Sequence, residues 1–584
     1  MELTENAIKV LKSKYLLKDE QGNVVETPEQ MFRRVAHHLS LAEKLYNNDI
    51  SFEEQFYEIM SSLRFLPNSP ALMNAGKPIG QLAACFVLPV EDSMSAIFNT
   101  LRNAALILQS GGGTGFSFSR LRPNKDIVRS TSGVASGPVS FMKIYDMATE
   151  VIKQGGARKG ANMGILSIDH PDILEFIKIK RNIGELSNFN ISVAVTDEFI
   201  EAVKNDAEYN LINPRDGKVT QKVKAKKVFD EIVHSAWDTG DPGMIFIDKV
   251  NRDNPTPQIG RIESTNPCGE QPLLPYEACV LGSFNLSKYV NEECSSQIQN
   301  IPEDIIDYQK IINCIKWDIL KRDIIIAVRL LDNAIDVNIY PIRDIEMMHK
   351  GNRKIGIGVM GWADMLILLG LPYGHEKSYL LAKDIMRFIR DEARKASVGL
   401  AEKKGVFPNF KGSIYDTPNM PSLRNATLTT IAPTGTLSLI ADCSSGIEPL
   451  FMLAYKRLVI ETELLEINKY FLQTAKKYNF FREQIIQKIY KTGSIRGIKN
   501  IPSKFKRIFR NAFEIPFEDH IEMQSAFQQY TDNAVSKTIN LPNSASKKDI
   551  ARAYMLAYEK GLKGITVFRY GSKKGTLVKL QDVG

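Results

Sequence analysis

The 584-residue chain has 43% apolar and 24% charged residues and a formal net charge of +8, a balance that fits a globular protein with a large core, about three or four domains' worth of chain. No apolar run approaches the roughly 18 uncharged residues of a membrane span, and the start MELTENAIKVLKSK has no secretory h-region, so the cytoplasm is the expected compartment. Six scattered cysteines exclude a disulfide scaffold, and no Cys/His cluster has zinc spacing, so no metal site is expected.

Residues 1–60 read as an N-terminal helical cap, with Phe32, Val35, Leu39, Leu41 and Leu45 spaced for one face. From 61 to 450 the pattern changes to short aliphatic runs (CFVLPV, GFSFSRL, MGILSI, FNISVAV, MIFI, ATLTTIA) between glycine-rich turns and helices, which predicts an α/β core with parallel strands. Asp92-Ser93 suits the cap of a helix carrying Met94, Ile97, Leu101, Ala104 and Leu108, stopped at Gly111, and Pro138 suits the first turn of another that runs to about Ile152. From 451 to 584 helix-like, lysine-rich sequence dominates. Between Gln484 and Phe513 it carries eight basic residues and no acid, a pattern that most simply marks a solvated face; a nucleic-acid role is not expected.

Cys268 lies in STNPCGEQP, where Pro267, Gly269 and Pro272 forbid a regular helix and force a tight loop. Such a loop can present Asn266, Cys268 and Glu270 together: an amide, a thiol that can lose a hydrogen atom and a carboxylate that can take a proton. The plain alternative is a turn with a buried thiol. Cys85 (QLAACFVLPV) and Cys279 (YEACVLGSFNL) sit in strand-like runs and read, singly, as small buried hydrophobes. Ala432–Ser438 (APTGTLS) opens a helix-like segment whose backbone N–H groups and hydroxyls suit an anion, or it is a capped helix start.

Seven segments in order, PNSPALMNAG, QLAACFVLP, GGGTGFSFSRLRP, QGGARKGANMGIL, FNISVAV, NPCGEQPLLPYEACVLGSFNL and APTGTLSLIADCSSGIEP, resemble ribonucleotide reductase catalytic subunits, especially the adenosylcobalamin-dependent class II enzymes, over about residues 30–575. The resemblance implies a ten-stranded α/β barrel of two half-barrels with a central finger loop, flanked by helical N- and C-terminal regions, the latter completing the barrel. It implies Cys268 as the thiyl that abstracts the 3′ hydrogen, Glu270 as the base on the 3′ hydroxyl and Asn266 as a holder of the sugar hydroxyls. Cys85 and Cys279 become the reductant that ends as a disulfide. Substrate phosphates fall to Thr434, Gly435 and Thr436, with Ser69 and Gly113, and deoxynucleotide or ATP effectors to Asp92, Arg122 and Arg158. A homodimer formed by the two helices above and a thioredoxin-like or other dithiol partner are also implied.

The family divides by how the cysteine radical is made. The stretch Gly-Ile-Thr-Val-Phe-Arg-Tyr-Gly has Phe568 and Tyr570 but no tandem tyrosine for transfer from a second subunit, and no glycyl-radical segment is present. Adenosylcobalamin is therefore the expected cofactor. No cysteine follows Cys443, so either a tail cysteine pair is absent here or an external dithiol reaches the site. Cys294, Cys314 and Cys443 are read as structural. The competing readings are a class I-like large subunit, a thiyl-radical enzyme acting on another substrate and an inactive nucleotide-binding regulator.

Overall fold

The structure is a computed structural model; it describes residues 2–572 apart from 48–50, 129–132, 153–160, 183, 300, 460 and 461, with backbone alone for 455–466. Two amphipathic helices open the chain, α1 (Glu5–Lys14) and α2 (Pro28–Ser40). Thr27 and Gln30 close α2 with a reciprocal capping box, and Phe32, Val35 and Leu39 are fully buried. The expected stripe stops there. At Leu41 the chain tightens into a 3₁₀ helix, the 3.6-residue phase is lost, and Leu45 is left 67% exposed. This cap is tied to the barrel by Glu43, whose carboxylate accepts from Arg329 at 2.9 Å and from Lys404 at 3.0 Å.

The centre is a ring of strands: β1 (Phe65–Pro67), β2 (Cys85–Pro89), β3 (Gly113–Ser117), β4 (Asn162–Ser167), β5 (Phe189–Val195), β6 (Gly243–Phe246), β7 (Ala278–Asn285), β8 (Ile355–Met360), β9 (Thr538–Leu541) and β10 (Gly564–Arg569). β2 to β6 pair in chain order, all parallel, as one half-barrel. β7 with β8, and β9 with β10, are parallel in the other. The segment Thr429–Ile431 joins them: it bridges β8 at Ile357↔Thr429 and reaches Val535 at Ile431↔Val535, with the Ile431 N–H on the Ala534 carbonyl at 3.1 Å and the Ser536 N–H on that of Ile431 at 2.9 Å. The halves meet antiparallel at β2–β7 and β6–β10, so ten segments close the ring, and β1 takes the β7 edge beyond β2. Closure leaves no open edge on the ring.

Between β2 and β3 lies α3 (Met94–Gln109), and between β3 and β4 lies α4 (Gly137–Val151). Ser93 caps α3, and Gly111 follows with φ of +96°. Ile97, Ala104 and Leu108 are buried as expected, but Met94, the first residue of the helix, is exposed. In the C-terminal region α5 (Lys469–Lys477), α6 (Glu483–Thr492) and α7 (Ser503–Ile508) share a separate small core of Phe471, Ile489, Phe505 and Phe509. A hairpin, Ala454–Val459 with Thr462–Ile467, precedes them where helix was expected. Part of the basic stretch is spent internally, Lys504 on the carbonyls of Gln299 and Ile301 and Arg507 on Glu303. Cys294 and Cys314 form a disulfide with Cα atoms 5.3 Å apart, a pairing their spacing did not announce. No helix among the described residues is long and apolar enough to cross a membrane.

Candidate active site

Inside the ring stands a hairpin, Ser264–Thr265 paired antiparallel with Pro272–Leu273. Asn266 closes its end: its N–H donates to the Gln271 carbonyl at 3.1 Å, and its side-chain oxygen accepts the Gln271 N–H at 2.9 Å. Gly269, at φ +80°, turns the chain there, a conformation costly for any residue with a Cβ. Cys268 is thus at the tip, exposed, while Asn266 and Glu270 are buried beside it.

The glycines of β3 make room for the finger. A Cβ on Gly115 would stand 1.7 Å from the Thr265 carbonyl oxygen, and one on Gly113 would stand 2.9 Å from Pro267 Cγ. Both halves then hold the tip. From β5, the Asn190 amide donates to the Pro267 carbonyl at 2.8 Å; from the other half, the Thr430 hydroxyl and the Ala534 N–H both donate to the Glu270 carbonyl at 2.9 Å. Sequence reasoning missed Asn190 and Thr430, because each reads as an ordinary strand residue and acts only through a carbonyl far away in the chain.

Cys85 and Cys279 are directly opposed in the antiparallel β2–β7 pair, and both are free thiols. Opposed residues in such a pair have Cα atoms about 4.5–5.5 Å apart, inside the range a disulfide spans. Asn266 Nδ2 donates to Cys85 Sγ at 3.2 Å, which ties the finger to the pair. Burial pushes the Cys85 thiol well up, and Glu270, Cys279 and Cys268 push it the same way. Burial also raises the Cys279 thiol. At neutral pH both sulfurs hold their protons.

Cys268 opens onto a cavity of about 1080 Å³ whose lining includes Asn190, Ser192, Pro433, Ser438, Asn468, Lys469, Asn540 and Phe568. Thr4, the cap of α1, and Asn6 in its first turn also line it; nothing in the sequence marked them. Gly113 lies under the finger. The expected phosphate loop runs past this cavity, but the helix it opens is only Leu437–Ile440; Thr434 takes φ of +53° and its hydroxyl accepts the Gly446 N–H at 2.8 Å, while Gly435 and Thr436 lead into the turn. Ser69 lies outside that lining, its hydroxyl 2.8 Å from that of Tyr15. Cys443, Asp364 and Asp442 also line the cavity.

Asp92 and Arg122 meet in an ion pair at 2.8 Å, and Arg122 also donates to the Ile127 carbonyl at 3.0 Å. Arg158 lies outside the described residues. No group of three or more His, Cys, Asp or Glu that could hold a metal ion occurs among the described residues.

A barrel that shows one exposed thiol at its centre, beside an amide, a carboxyl group and two facing buried thiols, holds a set of groups suited to an oxidoreductase. Residues 1–80 match the sequence model of the ribonucleotide reductase all-alpha domain, and residues 83–568 that of the ribonucleotide reductase barrel domain. The chain belongs to the ribonucleotide reductase family. It is 48% identical to a vitamin B12-dependent ribonucleoside-diphosphate reductase of Thermoplasma acidophilum, over 98% of this chain and 80% of that one. To the protein of the same name in Mycobacterium tuberculosis it is 43% identical, over 99% and 81%. Among solved structures it is similar to the class Id ribonucleotide reductase alpha subunit of Actinobacillus ureae, with a TM-score of 0.78 and 22% identity over 100% of this chain and 99% of the other.

Proposed function

We propose that this chain reduces ribonucleoside diphosphates, the substrate in the names of the relatives at 43–48% identity, to 2′-deoxyribonucleotides by thiyl-radical chemistry in the cytoplasm. The observation that carries the reading is the Cys85–Cys279 register beneath the finger, with Asn266 bonded to Cys85. In this reading the Cys268 thiyl takes the 3′ hydrogen, Glu270 accepts the 3′ hydroxyl proton, and Asn266 orients the sugar hydroxyls. Cys85, which burial keeps protonated, gives its proton to the departing 2′ hydroxyl. With Cys279 it supplies the two electrons that replace the C–O bond by C–H, and the pair ends as a disulfide. Ser69, Gly113, Thr434, Gly435 and Thr436 are assigned to substrate, the phosphates falling to the loop before Leu437.

Adenosylcobalamin, the cofactor in this reading, supplies when bound a carbon radical able to take the thiol hydrogen of Cys268. The lining fits such a group: it offers both amide and charged donors (Asn468, Lys469, Asn540) and apolar surface (Leu450, Met452, Phe568), which suit a ring edged with amides, and these residues would hold it. The barrel strand that reaches the cavity offers Phe568 there rather than a phenol, which favours radical formation beside Cys268 over transfer from a distance.

Asp92, Arg122 and Arg158 are assigned to a nucleotide effector that selects the substrate, with a coupling of about 1–3 kcal/mol. A second copy would cover the exposed apolar residues of α3 and α4, Phe98, Ile144, Met147 and Val151. The working division is a cap (1–60), a barrel (61–450) and a C-terminal region (451–584) that supplies the last barrel strands. An external dithiol restores the thiols. An anaerobic assay of all four ribonucleotides with adenosylcobalamin and dithiothreitol, with and without deoxynucleotides, tests the reading. Product is expected only when cobalamin is present; product that needs a second, metal-containing subunit instead would overturn it.

A further inference from the structure

The register that sets Cys279 against Cys85 also gives it a neighbour on the other side. β7 and β8 pair with Val280 beside Ile355 and Leu281 beside Gly356, so one step back Lys354 stands beside Cys279. Side chains paired across a ladder share a face, and Cys85, Cys279 and Leu281 belong to one inner apolar cluster. Cys85, Cys279 and Lys354 therefore form a row across the inside of the barrel.

Lys354 Nζ lies 2.6 Å from Glu277 Oε2, with both side chains 1% exposed. Glu277 is fixed in turn, accepting the Leu274 N–H at 2.6 Å and the Asn352 amide. A buried ion pair adds little net stability over apolar side chains of the same volume, so its position beside a reacting sulfur is the informative fact. The two sulfurs see different charges. At Cys279 the Lys354 ammonium pulls the thiol down by more than either Glu277 or Glu270 pushes it up; at Cys85 the Asn266 amide pulls down while burial, Glu270 and the other two cysteines push up. His349, whose ring faces the Lys354 carbonyl, is held neutral by burial with a pKa of about 3.

We propose that Lys354 is a positioning residue that sets the direction in which the Cys85–Cys279 disulfide is opened. A thiolate of the reducing dithiol attacks Sγ of Cys85, the S–S bond breaks, and its electron pair leaves on Sγ of Cys279 as a thiolate beside the ammonium. The second thiol of the reductant then attacks its own sulfur in the mixed disulfide and releases Cys85. The dithiol loses two electrons and two protons, and the protein pair gains both. The physical reason is that the sulfur whose thiol is the stronger acid leaves faster. The inference rests on the reading above that these two cysteines are the reducing pair.

The test oxidises the enzyme by one turnover, adds limiting 2-mercaptoethanol, quenches with acid and locates the adduct by peptide mass spectrometry. In the unaltered enzyme the adduct is expected on Cys85 over Cys279 by at least about tenfold. In the double variant Lys354→Gln, Glu277→Gln, which removes both charges together, the preference is expected to fall to about twofold and opening by dithiothreitol to slow roughly three- to tenfold. An even distribution in the unaltered enzyme overturns the proposal, as does an unchanged preference in the variant. A chain weakened only in its folding would lose both adducts together and keep their ratio, which also overturns it. Failure to form any Cys85–Cys279 disulfide after turnover would instead overturn the reading on which it rests.

Discussion

The two half-barrels are built differently. β2 to β6 follow one another along the chain and are held by a continuous parallel backbone ladder. The other half is gathered from distant stretches, and one of its members, Thr429–Ile431, pairs only through isolated bridges. A side chain helps to hold that segment: the Asp532 carboxylate accepts the N–H groups of Leu428 and Thr429. The regular half provides a glycine-lined surface for the finger to rest on and one donor, Asn190, while the assembled half grips the tip through Thr430 and Ala534. The division teaches that a reactive loop can be located by close fit on one side and by hydrogen bonds from both.

The comparison can be broken most completely at the group both halves serve. Cys268→Ser is expected to lower turnover by at least about 10³-fold, some 4 kcal/mol of barrier, because an O–H bond yields its hydrogen atom far less readily than S–H; a deoxynucleotide assay reads the loss. Next comes the resting surface. Gly115→Ala drives a methyl group into the Thr265 carbonyl, so the finger must shift, and a displacement of about 1 Å is expected to lower kcat about 10²-fold, with stability reduced by about 1–3 kcal/mol in urea titration. Thr430→Val on the gripping side is milder. It removes one of the two hydrogen bonds to the Glu270 carbonyl, a loss of about 1 kcal/mol, and kcat should drop by roughly tenfold.

The last effect is read in stability alone and concerns Asp364. Burial raises its pKa from 3.8 to about 6, so between those values the folded chain keeps a proton that the unfolded chain releases, and stability falls as pH rises through that window. Asp364→Asn should abolish this dependence and stabilise the protein at pH 8 by no more than about 3 kcal/mol, read as the change in urea midpoint between pH 4 and pH 8.

Much of this design was legible in the residues. The runs CFVLPV, GFSFSRL, MGILSI, FNISVAV and MIFI all fall on ring strands, because a strand buried in a parallel ladder needs a short, continuously apolar run. ATLTTIA is a ring segment too, although its threonines serve as donors there. The finger could be placed by its prolines and Gly269. What could not be read was whatever depends on how distant segments pack: Lys354 beside Cys279 and Asn190 on Pro267, since spacing along the chain does not encode adjacency inside the barrel, and the Cys294–Cys314 bond, which joins two short neighbouring helices. Leu45 failed for a local reason, because helical periodicity describes a face only while the helix persists, and Met94 stands at the very start of its helix.

The antiparallel joint between the halves has a mechanical consequence. Because Cys85 belongs to one half and Cys279 to the other, a bond between them would staple the seam, and its reduction would free it. Each catalytic cycle would then carry the barrel through a clasped and an unclasped state, with the clasp next to the finger that carries Cys268.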